Sequence, residues 1–230
     1  MAKRTFFVAG TDTDVGKTVV SAGLLAAVNQ RGLSTIALKP VAAGCEKTEQ
    51  GLRNSDALLL QQTASIKLSY EQVNPIALEP PIAPHIAAQL LGRRLDADRI
   101  AALCRGAMMQ PADFMVIEGA GGWRVPLNNR QTLADVTKLL RIPVILVVGM
   151  KLGCINHTLL TVEAIVKDGL RLAGWIANRA EPQMSCYDEN LETLKGMLSA
   201  PLLAEIPHIE DCSPENIAEY IDLGPLLADQ

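Results

Sequence analysis

The run Gly10-Thr11-Asp12-Thr13-Asp14-Val15-Gly16-Lys17-Thr18 places a lysine and a hydroxyl directly after a turn of small and polar residues. With a strand before it and a helix after it, such a run makes a phosphate-binding loop. Backbone N–H groups and the helix N-terminus hold polyphosphate oxygens, Lys17 reaches the β- and γ-phosphates, and Thr18 offers its oxygen to magnesium. Five residues separate Gly10 from Gly16, where the general pattern has four. The competing reading is a tight strand-to-helix turn, but packing alone gives little reason for Gly-Lys-Thr at that place.

Further along the chain, Lys39 closes a second apolar run, and Glu118 closes a third just before Gly119-Ala120-Gly121-Gly122. A second lysine near a γ-phosphate neutralises the charge that migrates during phosphoryl transfer; otherwise it is a solvated strand-end lysine. Glu118 supplies the hard oxygen that magnesium prefers, and the glycine run lets backbone approach a ligand closely. Asp56 reads either as a second metal-side carboxylate or as a first-turn acid stabilising a helix N-terminus. Trp123 is a lid or a loop anchor. Asn178 ends a strand, where an amide can read a base edge or serve an ordinary turn. Gly149 and Gly153 loosen a strand-to-helix junction and leave a helix N-terminus near Asn156 and His157 that can accept an anion. His157 reads equally as a polar helix start, and the three histidines (85, 157, 208) lack metal-ligand spacing.

The elements that must position these residues follow from periodicity. Thr5–Ala9 reads as a buried strand, and Lys17–Gln30 carries apolar residues at helical spacing before stopping at Arg31-Gly32. Ser34–Leu38 is a second strand, expected beside the first, so that Lys39 emerges on the same sheet edge as the loop. Val41–Arg53 reads as a long polar segment, Asn54 as the cap of a helix Ser55–Thr63, and 64–84 as the least regular stretch. The piece Glu79-Pro80-Pro81-Ile82-Ala83-Pro84 cannot be a central strand. Helices are expected over His85–Leu91, Asp96–Met109, from the Thr132/Asp135 capping box to Leu140, over Asn156–Lys167, Tyr187–Leu198 and after Pro214. Strands are expected at Phe114–Ile117, Pro143–Val148 (the sheet centre), Leu172–Ala177 and Leu202–Ile206. This strand–helix rhythm predicts an α/β, P-loop NTPase-like domain over 1–230, with a mostly parallel sheet between two helical layers.

Bulk composition agrees. Aromatics are only 3% of a chain that is 49% hydrophobic, so the core is built from aliphatic residues, as buried parallel strands require. Net charge is −4 and no Lys/Arg stripe is present, which disfavours nucleic acid as a partner. Five cysteines without paired spacing argue against zinc and a disulfide framework. With no apolar stretch of membrane length and no secretory leader, no membrane partner is expected and the cytoplasm is the expected compartment.

The loop Gly10–Thr18, Lys39-Pro40-Val41, Gly51–Asp56, Asn74-Pro75, Pro84-His85, Glu118–Trp123 and Gly149–His157 together resemble dethiobiotin synthetase, over nearly the whole chain. The lengthened loop is the family's normal form. The resemblance implies a homodimer that converts 7,8-diaminononanoate, carbon dioxide and ATP to dethiobiotin, ADP and phosphate. It implies that Asp14, Val15, Gly16, Lys17, Thr18 and Val19 wrap the phosphates, and that Thr18, Asp56 and Glu118 hold Mg2+. Lys39, with Lys17, is the catalytic lysine. Glu118, Gly119, Ala120 and Gly121 line nucleotide and substrate, and Asn178, Arg179, Pro207, His208 and Ile209 border the adenine. Ala43 and Gly122 lie on the diamine side, where Cys154, Ile155, Asn156 and His157 come from the partner subunit. Two positions depart from the family pattern: Ala43 stands where Ser or Thr is usual, and His208 where an apolar or aromatic residue is usual. Two other classes share the loop, the lysine and the carboxylates: P-loop enzymes that use ATP to drive amidation, and partitioning-type ATPases.

Overall fold

The computed structural model describes residues 3–228. In chain order the strands are β1 (Arg4–Gly10), β2 (Thr35–Leu38), β3 (Val41–Ala42), β4 (Glu46–Thr48), β5 (Gly51–Arg53), β6 (Ile76–Ala77), β7 (Phe114–Glu118), β8 (Val144–Gly149), β9 (Leu172–Asn178) and β10 (Leu202–Ile206). The helices are α1 (Lys17–Gln30), α2 (Ser55–Thr63), α3 (Tyr70–Val73), α4 (Pro84–Leu90), α5 (Ala97–Met108), α6 (Leu133–Leu140), α7 (Cys154–Lys167), α8 (Tyr187–Met197), α9 (Pro214–Ala218) and α10 (Gly224–Leu227).

Six strands form one parallel sheet in the order β10-β9-β8-β1-β7-β2. Of its inner strands, β7 and β8 are buried along their whole length, and β1 and β9 are buried all along except at their first residues, because helices cover both faces. The period-two alternation of strands divides the core in two. Phe7, Ala9, Met115, Ile117, Leu146 and Val148 pack on the α5, α6 and α7 side. Phe6, Val8, Phe114, Val116, Ile145 and Val147 pack on α1 and α9. The two apolar layers, each a continuous hydrophobic cluster, support the sheet beneath the site.

One expectation is overturned. The second strand does not lie beside the first, because β7 inserts between β1 and β2 and pairs with both. Lys39 still emerges on the loop's edge, since all three strands are parallel. The segment Val41–Arg53, read as a long polar segment, contains β3, which pairs with β6, and the β4–β5 hairpin. That hairpin turns through Gly51 at φ 100, with the Thr48 hydroxyl donating to the Gly51 carbonyl at 2.8 Å. Within 64–84, Ser69 and Gln72 form a complete capping box that starts α3. Among the described residues no helix is long and apolar enough to cross a membrane.

Candidate active site

The loop after β1 is shaped by left-handed residues, Asp14 at φ 57 and Gly16 at φ 86, conformations that Asp tolerates and Gly adopts freely. Its underside is fixed by Val15, whose side chain fills the space where a Cβ on Gly10 or Gly149 would stand, 2.7 and 2.6 Å away. Asn178, at the end of β9, donates from Nδ2 to the Val15 carbonyl at 2.8 Å and occupies the place of a Gly16 side chain. Lys17 opens α1 and lies across the loop, its Nζ 2.9 Å from the Asp12 carbonyl. Burial pushes its pKa down to about 8, against the raising effect of Glu118.

Opposite the loop, three charged side chains meet. Lys39 Nζ is 2.7 Å from Asp56 Oδ2 and 2.5 Å from Glu118 Oε1. Glu118 is fully buried, the Lys39 side chain is 7% exposed and that of Asp56 43%. Burial alone would depress the Lys39 pKa, yet the Glu118 and Asp56 charges hold it above the ordinary value. The Thr18 hydroxyl donates to Glu118 Oε1 at 2.8 Å, tying the loop to this cluster. Glu118 Oε2 is buried without a hydrogen-bond partner. Asp56 is delivered by α2, which Asn54 caps by accepting from the Ala57 N–H at 3.2 Å.

A cavity of about 900 Å³ opens between loop and cluster. Of the expected residues it is lined by Asp14, Gly16, Lys17, Thr18, Val19, Lys39, Ala43, Asp56, Glu118, Ala120 and Gly121. Gly119 lies behind, where a Cβ would meet the Phe7 ring at 2.9 Å. Gly122 lies against the Gly10 and Thr11 carbonyls. Trp123 is an anchor rather than a lid. It is buried edge-on against Phe7, and its indole N–H donates to Asp168 Oδ2 at 2.9 Å.

Asn178 ends β9 beside Ile206, the end of β10, and the Arg179 N–H donates to the Ile206 carbonyl at 2.9 Å, so Pro207, His208 and Ile209 follow directly from the paired strand end. This group reaches the loop through Asn178. His208 Nδ1 lies 3.1 Å from the Ala180 carbonyl. The residues from Cys154 to His157 form the first turn of α7 and do not line the cavity of their own chain. The Cys154 side chain is buried in the core, and its N–H donates to the Lys151 carbonyl at 2.9 Å. Asn156 and His157 are exposed.

Part of the cavity wall was not among the expected contacts: Thr13, Ala42, the run Pro81–Pro84, and Arg124, Val125 and Pro126. The prolines were legible only as a stretch that cannot be a strand. Nothing in their type marks them as ligand-facing.

The comparisons with known proteins agree with this geometry. The AAA domain family matches residues 4–216. The ATP-dependent dethiobiotin synthetase of Cellvibrio japonicus is 58% identical over 227 residues, covering 99% of each chain. That of Vibrio parahaemolyticus is 50% identical over 222 residues, covering 96% of this chain and 97% of its own. Among solved structures, the cobyrinic acid a,c-diamide synthase of Mycobacterium smegmatis with bound ATP analog and magnesium superposes with a TM-score of 0.58. It is 16% identical and covers 95% of this chain and 92% of its own. A ParA family ATPase of Chlorobium tepidum gives 0.54 at 16% identity, covering 95% and 91%. At such identities these two share the fold alone, so the fold does not separate an amidating enzyme from a partitioning ATPase. The near-full-length identity does: the chain belongs to the ATP-dependent dethiobiotin synthetase family.

Proposed function

We propose that this protein carboxylates 7,8-diaminononanoate with carbon dioxide and closes the ureido ring at the expense of ATP, giving dethiobiotin, ADP and phosphate. The observation that carries the reading is the convergence of Lys17, Lys39, Asp56 and Glu118 on one cavity, in a chain of this family. A neutral amine of the substrate attacks carbon dioxide, forms the N–C bond and releases a proton, leaving a carbamate anion beside Lys39. A carbamate oxygen then attacks the γ-phosphorus in line, and ADP leaves. The second amine attacks the carbonyl of the mixed anhydride, and phosphate departs with that oxygen. Lys17 and the loop N–H groups hold the β- and γ-phosphates, while Lys39 offsets the charge where carbamate meets phosphorus. Most of the task is placing three partners and neutralising charge.

Thr18, Asp56 and Glu118 are the residues that would hold Mg2+. A hydroxyl and two carboxylates are hard oxygen donors, too few to cage the ion alone, as suits magnesium shared with substrate phosphates. The partnerless Glu118 Oε2 fits the same role, since a buried carboxylate oxygen calls for a cation or donor. When bound, the ion would supply positive charge to neutralise the phosphates during transfer. The adenine would lie against Asn178, Arg179, Pro207, His208 and Ile209. Ala43 lines the diamine side without a hydroxyl, which removes one hydrogen bond worth about 0.5–1.5 kcal/mol. We also read the enzyme as a homodimer in which the α7 first turn of the partner (residues 154–157) closes the carboxylate end. The exposure of Asn156 and His157, away from their own cavity, supports this. The test is formation of dethiobiotin from diaminononanoate, bicarbonate and Mg-ATP, followed by mass spectrometry. ATP hydrolysis that does not depend on the diamine would favour a partitioning-type ATPase instead.

A further inference from the structure

Behind the cavity, a buried hydrogen-bond chain ties the backbone of Lys39 to the start of α2. The Asn74 amide Nδ2 donates to the Lys39 carbonyl at 2.6 Å. The Tyr70 hydroxyl donates to Asn74 Oδ1 at 3.1 Å and accepts from the Asn54 N–H at 2.7 Å. Asn54 caps α2, whose first turn carries Asp56. Asp56 in turn meets the Lys39 ammonium at 2.7 Å, so the chain closes on itself. A second strut, the Lys39 N–H on the Val73 carbonyl at 2.9 Å, fixes the same strand end to α3. Tyr70, Asn74 and Asn54 are 7%, 3% and 6% exposed, and none lines the cavity.

We propose that Tyr70, through Asn74 and Asn54, is a positioning residue that sets the approach of Asp56 to Lys39 and so aligns both for phosphoryl transfer. This rests on the function proposed above. The geometry favours a dedicated part over incidental packing. A phenol is the one group in the ring of contacts that both accepts from α2 and donates toward β2, so its oxygen fixes two elements with one atom. The Arg53 guanidinium, 4.1 Å above the Tyr70 ring, holds the ring in place. Burial raises the phenol's pKa above its ordinary value, and an ordinary phenol already keeps its proton at neutral pH, so the hydroxyl remains a donor. Phenylalanine fills the same volume and loses only this link, and misplacement of reacting groups by about 1 Å costs on the order of 10²-fold in rate.

The test is Tyr70→Phe, read by kcat, the KM for ATP, and Mn2+ affinity in the presence of ADP by water-proton relaxation. We expect kcat to fall about 10-fold or more with the ATP KM within about twofold, and Mn2+ affinity to weaken severalfold. In an Asp56→Asn background the same change should lose most of its effect, because the group it positions is already gone. Ile100→Val, a core change outside the site, should leave kcat unaltered. If Tyr70→Phe does not fold, Asn74→Ser, which keeps a shorter donor by the Lys39 carbonyl, is expected to move kcat and Mn2+ binding in the same direction. Unchanged kcat and Mn2+ affinity, or losses that simply multiply with Asp56→Asn, would overturn the proposal. Should the wild type make no dethiobiotin, the functional reading falls while Mn2+ binding still decides the positioning role.

Discussion

Replacing Lys39 with methionine keeps the apolar stem and removes the ammonium from between two carboxylates. Glu118 is fully buried, so its charge loses its partner at 2.5 Å, while Asp56, 43% exposed, can rehydrate. Breaking a buried pair by deleting one partner costs roughly 3–5 kcal/mol. The Thr18 hydroxyl still donates to Glu118, which places Lys39→Met near the lower end, about 3 kcal/mol at pH 7. Lys39→Met/Glu118→Gln removes the orphaned charge and should regain most of that loss. Saturating Mg-ADP should narrow the gap between Lys39→Met and wild type, by supplying a cation at the same carboxylates. Urea denaturation followed by circular dichroism, at constant m-value, measures each term. Turnover should fall at least ~10²-fold with ATP binding held within a few fold. A stability loss under about 1 kcal/mol, or a double variant no better than the single, would refute the buried ion-pair account. Equal losses in binding and turnover would make Lys39 a nucleotide contact only.

Because Lys17 is held near a pKa of about 8, ATP binding should draw a proton onto the enzyme at pH 8–9. Little uptake is expected at pH 6.5, where the lysine is already charged; calorimetry in buffers of different ionisation enthalpy reads this, and Lys17→Ala should abolish it. Its folded pKa lies below the unfolded 10.5, so its burial cost is fully present below pH 8 and relieved as pH rises toward 10.5. With no nucleotide this group therefore favours stability at the alkaline end, and a steeper stability loss there in wild type than in Lys17→Ala would contradict the assignment. Asn178→Ala removes the bond to the Val15 carbonyl and should weaken ATP binding about tenfold, a loss near 1.4 kcal/mol; unchanged affinity would detach Asn178 from loop placement. Light scattering should give about twice the 24.7 kDa chain mass, and a fully active monomer would remove the role given to the α7 turn of the partner.

Several parts of the site were legible because their signals are local. A lysine after a glycine turn, a capping Asn54, and an acid closing an apolar strand before glycines each carry their chemistry in a few adjacent residues. The Lys39–Asp56–Glu118 cluster was legible only in part, since the residues lie on three elements and their meeting depends on strand order. Periodicity does not encode that order, and the insertion of β7 between β1 and β2 was accordingly missed. The Ser69/Gln72 capping box was present in the sequence but starts a helix of only four residues, too short for helical periodicity to mark it. The role of Tyr70 had no sequence signal, because a tyrosine whose hydroxyl joins two elements looks like any core aromatic until the fold places Asn54 and Asn74 on either side of it.

The central claim is that a carbamate oxygen, held beside Lys39, takes the γ-phosphoryl group. A single turnover with 18O-labelled bicarbonate, quenched before label exchanges with water, tests it directly. The account predicts one 18O atom in the released phosphate and dethiobiotin formed in equal amount to ADP. Phosphate carrying only solvent or ATP oxygen would contradict it, because ATP would then be hydrolysed by water rather than by the carbamate.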